Sequence, residues 1–251
     1  MPEFSSLPLL KEPPLIEVVY SLQAITDPAL QMESVRGRVE HGLPAGFEMK
    51  PINKVQVRVN AGGEGRSVSE QAMEWGGFRI TNPNGLEVLH MMREGLFVSF
   101  LPPYKGFAEC IQNIERYWNW YVEAFAPESS VRIGIRYINR MDVPLKNGVV
   151  EFEQYFKLVT YYPVDGPFQL HRFHTQFEIS DLELNIPARV SFTSTKESKD
   201  NLEVILDIEA FDEGSWSAQD QQIWPRFDQL RHWAYRLFRN TLTDECFQRY
   251  Q

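Results

Sequence analysis

Arg132, Arg136 and Arg140 recur at every fourth position of the segment VRIGIRYINRMDV, with Val131, Ile133, Ile135 and Tyr137 at the alternate positions. Successive side chains of an extended strand point to opposite faces, so this spacing gathers the guanidiniums on one face and the apolar residues on the other. A row of like charges is stable only where carboxylates, or the anionic group of a ligand, stand opposite. Carboxylates are at hand. Glu17 lies on the polar face of an earlier strand, and Glu203, Asp207 and Glu209 share the odd face of a strand over 202–211. Two arrangements satisfy this pattern. One is an internal ion-pair network between sheet strands, and the other is an Arg-lined groove that receives an anionic ligand or an acidic partner segment. Asn139, on the apolar face, adds an orienting amide. The candidate binding set is therefore Glu17, Arg132, Arg136, Asn139, Arg140, Asp207 and Glu209.

Other chemistries are less well supported. Glu203, Asp207 and Glu209 offer the hard oxygens that Mg²⁺ prefers, as in a nuclease or phosphatase. However, the E-x-K fragment Glu197-Ser198-Lys199 falls in a turn before the acidic strand rather than after it, and is read as chance. His171 and His174 are three apart on an expected strand and so point to opposite faces. His232, beside Trp233 in the terminal helix, is read as a helix-surface or partly buried histidine rather than a base. Cys110 and Cys246 form no C-x-x-C pair, and no serine sits in a G-x-S-x-G elbow. The stretch Gly62-Gly63-Glu64-Gly65 lacks the Lys-Ser/Thr ending of a phosphate loop and is expected to be a turn. No catalytic set, no metal and no cofactor follows from these residues.

The elements that must hold the arginines are legible from periodicity. Ile16, Val18, Tyr20 and Leu22 alternate with polar residues as a half-buried strand. Asp27-Pro28 predicts the start of a helix through Met32, Val35 and Val39 that stops at Gly42 and Pro44. Strands follow around Val55–Val59 and over 77–81, 86–91 and 96–101, the last three separated by Asn82-Pro83-Asn84-Gly85 and Arg93-Glu94-Gly95. Phe107, Ile111, Ile114, Trp118, Tyr121 and Phe125 make one helical stripe, with Tyr117 and Trp120 expected at its periphery. After the arginine strand come a short helix through Phe152, Tyr155, Phe156 and Val159, then strands over 168–179, 188–195 and 202–211. The terminal helix is marked by Ile223, Phe227, Leu230, Ala234 and Leu237. The expected fold is α+β, an antiparallel sheet in two similar halves, 1–148 and 149–251, or one continuous domain, with long amphipathic helices on one face.

Hydrophobic residues make up 43% of the 251 residues and aromatics 13%, enough for a sizeable core. The balance of 25 Lys+Arg against 34 Asp+Glu leaves a formal charge of -9, which disfavours general nucleic-acid binding. No run of about 18 apolar residues and no export signal is seen, so a cytoplasmic protein without a membrane span is expected.

The segments PPLIEVV, LPPYKGF, IGIRYINR, VILDIE and LRHWAYRLFRNTLTDE together resemble a sporadically distributed family of uncharacterised prokaryotic proteins of about this length. The resemblance implies a cytoplasmic prokaryotic protein and, by association, a link to mobile or defence-associated genes. It supplies no catalytic residues. The expected function is a non-catalytic binding or protein-interaction module, with an unidentified protein partner or an anionic small ligand, and with homo-oligomers allowed. The alternative is an enzyme acting on an anionic small molecule or phosphodiester through the arginine and acidic strands.

Overall fold

The computed structural model describes residues 7, 10–60, 67–146, 150–158, 172–198 and 200–251. In chain order the elements are β1 (Leu15–Ile25), α1 (Met32–Gly42), β2 (Glu48–Asn60), β3 (Ser67–Thr81), β4 (Glu87–Met92) and β5 (Gly95–Phe100). They continue as α2 (Phe107–Phe125), β6 (Ser129–Pro144), β7 (His174–Asp181), β8 (Ile186–Glu197), β9 (Asn201–Trp216), α3 (Ile223–Thr241) and α4 (Asp244–Gln248). The fold is α+β, and its strands form one nine-stranded antiparallel sheet in the order β2-β3-β4-β5-β1-β6-β9-β8-β7. β3, β4 and β5 zip together through short turns, while the centre joins strands far apart in sequence.

Local chemistry explains the turns. Asn82 closes the β3–β4 turn, its side chain accepting from the Glu87 N–H at 3.1 Å. Gly95 begins β5 where a Cβ would lie 2.2 Å from the Leu22 carbonyl oxygen, so only glycine lets β5 approach β1 this closely. Asp27-Pro28 does not cap α1. Asp27 instead accepts from the Ala29 N–H at 2.8 Å in an Asx-type turn, and the helix starts later, after Gln31.

The long helices lie on a single face of the sheet. Tyr20 of β1 packs against Phe107 of α2 and Phe227 of α3, with ring centroids 6.4 and 5.8 Å away, so both helices cover the side to which Tyr20 points. Every residue of the two expected helical stripes is buried. Tyr117 and Trp120 are buried as well, rather than peripheral. Tyr117 donates to Glu87 Oε2 at 2.8 Å, and Trp120 lies beneath Gly42 because α1 packs on that flank of α2.

The expected helix near Phe152 shrinks to a single 3-10 turn, Phe152–Gln154. Tertiary contacts override its period. Phe152 and Phe156 pack on Phe192, and the Lys157 N–H donates to the Thr241 carbonyl at 2.7 Å. The glycine stretch at 62–65, His171 and the 168–171 part of the expected strand lie outside the described residues. The short α4, capped by Thr243 accepting from the Cys246 N–H, has no counterpart in the sequence-based expectations.

Candidate functional site

On β6 the core side is formed by Ile133, Ile135, Asn139, Met141 and Val143, while Arg132, Arg136 and Arg140 point to the face that carries no helix. β9 alternates in the same way. Val204, Leu206, Ile208 and Ala210 are buried, and Glu203, Asp207 and Glu209 share the uncovered face with the arginines. The result is a ladder of cross-strand ion pairs.

The rungs are diagonal. Arg132 donates from Nη2 to Glu209 Oε1 at 2.7 Å, although Glu209 stands opposite Arg136 in the register. To reach it, Arg132 leans along the strand with its guanidinium 4.1 Å from the Phe211 ring centroid. Between them β6 carries Gly134, where a Cβ would come within 2.8 Å of Ser21 Oγ and 3.4 Å of Phe211 Cβ. Arg136 grips Asp207 with two bonds, Nε to Oδ1 at 2.8 Å and Nη2 to Oδ2. That hydrogen bonding raises the arginine's already high pKa. Arg140 reaches only 3.8 Å from Glu203, too far for a hydrogen bond.

The ladder continues to the sheet edge. Arg189 of β8 donates to Glu209 Oε2 at 3.4 Å and to Glu178 of β7 at 3.0 and 3.2 Å, so Glu209 is shared by two arginines. Arg189 was not foreseen. Its signal lay in the alternation of Arg189, Ser191 and Thr193 with Ala188, Val190 and Phe192, a strand pattern in which one arginine drew no notice. Glu17 stands opposite Ile138, diagonal to Arg136, and its charge adds to the field that favours the protonated arginine. Asn139 is not brought to this site. It is buried on the helix-covered face and donates from Nδ2 to the Leu206 carbonyl at 3.1 Å.

Exposure falls along the row in one direction. The side chains of Arg140, Arg136 and Arg132 are 54%, 47% and 14% exposed, so the ladder is wet at one end and enclosed at the other. On the same face His90 of β4 is half-buried, and burial with nearby Arg79 lowers its pKa while Glu17 opposes the shift.

The acidic row is not arranged for a divalent cation. Asp207 and Glu209 are held by guanidiniums, and Glu203 accepts from Thr195 Oγ1 at 2.6 Å. Among the described residues no three His, Cys, Asp or Glu side chains group as metal ligands do. On the covered face, the Tyr104 hydroxyl lies 3.2 Å from that of Tyr20 and also bonds that of Tyr137. Burial raises all three tyrosine pKa values and pushes the neighbouring Cys110 thiol up to about 12, which favours the protonated thiol. No helix among the described residues is long and apolar enough to cross a membrane.

Comparison with protein-family models, with curated proteins and with solved structures finds no match to this chain.

Proposed function

We propose that this protein is a non-catalytic binding module whose uncovered sheet face receives another protein. One observation carries the reading: the helices cover one face only, and the bare face presents a charge ladder that is already neutralised from within. Guanidiniums held by carboxylates are poor receivers for a phosphodiester, which would have to displace them. A protein surface of mixed donors and acceptors can use the N–H groups left over on Arg136 and Arg140 without breaking the ladder. The anionic-ligand alternative draws its support from Arg140 alone, the arginine least committed to a carboxylate.

The same strand order from the centre outwards, β1-β5-β4-β3 and β6-β9-β8-β7, each followed by a 19-residue helix, supports two similar halves. The two buried free cysteines suit a reducing, cytoplasmic setting.

The test is capture of the native partner by tagged protein carrying Ile138→Arg or Thr193→Arg on the bare face, beside Asn119→Arg on the exposed side of α2. Loss of the partner in the first two at unchanged melting temperature, with retention in the third, is expected. A partner retained by both bare-face variants overturns the proposal.

A further inference from the structure

The sheet has two edges, and they are finished differently. β2 carries Lys50, Pro51 and Lys54 and an irregular register between Ile52 and Asn53. Proline, lysine and bulges are the features by which edge strands avoid pairing with other chains. β7 has none of them. It contains no proline and no lysine, and its pairing to β8 runs without a shift from His174 to Asp181.

Among the described residues the apolar side of β7 is also only partly covered. α3 packs on β6, β9 and β8 and meets β7 at its last residue, where Arg236 donates to Asp181 Oδ2 at 2.7 Å; Phe177 and Ile179 are 37% and 38% exposed, and Leu182 in the following turn is 93% exposed. Of the four exposed large hydrophobic side chains among the described residues, these are three. Apolar exposure concentrated on an unguarded edge marks an interaction surface.

Among the described residues nothing pairs with the outer backbone of that edge. The Ser194 N–H donates to the Phe173 carbonyl at 3.1 Å, which makes 173 and 194 a hydrogen-bonded pair. By antiparallel alternation Thr175, Phe177 and Ile179 also turn their amides toward β8, and His174, Gln176, Glu178 and Ser180 turn theirs outward. Among the described residues no strand lies beyond them.

We propose that this edge is a self-association surface, on which two copies of the chain pair β7 with β7 antiparallel about a two-fold axis at Gln176. The sequence of the strand fits itself in that register. His174 of each copy falls opposite Glu178 of the other, twice over, and Gln176 opposes Gln176. On the helix side Thr175 meets Phe177, and Phe173 meets Ile179, so the apolar row of one copy covers that of the other. Shifted by two residues so that Glu178 opposes Glu178, the pairing sets like charges face to face. The dimer would carry one continuous sheet across both copies, with the bare faces joined.

The mass of the full chain in solution tests this, measured by sedimentation equilibrium over a wide concentration range. A reversible dimer is expected. Gln176→Pro removes an outward N–H that β8 does not use, and should raise the dissociation constant at least about tenfold while the monomer stays folded. Ile179→Lys should do the same through a side chain already partly exposed, and it decides the matter if the proline variant fails to fold. Gln176→Cys should cross-link to its own copy on mild oxidation, the native cysteines being buried. A wild-type chain that stays monomeric, or a dimer indifferent to Gln176→Pro and Ile179→Lys, overturns the proposal.

Discussion

The helix-covered and bare faces of the sheet are built by the same strands, one residue out of step, and different forces hold them. On the covered side Tyr20, Phe107 and Phe227 fill the space between α2 and α3, and Ile114 and Leu230 are wholly enclosed. On the bare side order comes from ion pairs and from close-fitting small side chains such as Ser21 beside Gly134. The covered face should therefore fail all at once when breached, whereas the bare face should respond in grades set by how far each pair is removed from water.

The largest effect is expected on the covered face. Ile114→Asp or Leu230→Asp buries a carboxylate with no partner at a cost of several kcal/mol, a large part of the roughly 5–15 kcal/mol that holds a domain together. Neither variant should show a cooperative melting transition. Soluble, sharply melting variants would remove the distinction between the two faces.

The arginine row sharpens the comparison. Arg132→Met should cost about 2–3 kcal/mol, because the pair with Glu209 is mostly enclosed and the packing on Phe211 is lost with it. Arg136→Met should cost about 1–2 kcal/mol, since its two-pronged bond to Asp207 lies half in water. Arg140→Met should change stability by less than about 0.5 kcal/mol. Urea midpoints at constant slope would rank the three. Equal losses along the row would show that enclosure does not set the strength of the rungs.

The smallest effect concerns His90. Its folded pKa lies below the ordinary 6.5, so the unfolded chain binds the proton more readily and stability should decline as pH falls below that value. His90→Gln should flatten this part of the stability profile. An unchanged slope would mean that His90 is as well solvated folded as unfolded.

How much of this was legible depended on distance along the chain. The two faces of β6 followed from a period of two, and the helices over 107–125 and 223–241 from their stripes, because both patterns are local. The row of carboxylates that meets the arginines was legible as a set. Its diagonal pairing was not, since Arg132 meets Glu209 only through a register fixed by the whole β6–β9 ladder. Tyr117 was misplaced for a similar reason: the buried Glu87 that receives its hydroxyl belongs to a strand on the far side of a turn. Asn139 shows the limit of residue type as a guide, an amide that serves a neighbouring strand's carbonyl instead of a ligand.

The position of β1 at the centre of the sheet governs how the chain is made. Val18 pairs with Phe100 on one side and Tyr137 on the other, so β1 leaves the ribosome before either neighbour exists. Its apolar row of Val18, Tyr20 and Leu22 and both of its edges stay open while β2 to β5 form their hairpins. Closing the centre requires contacts between distant parts of the chain, the kind that make β-rich proteins fold slowly and expose them to aggregation. Until β6 is made, β1 can hold β5 alone, and one of its edges has no strand to pair with.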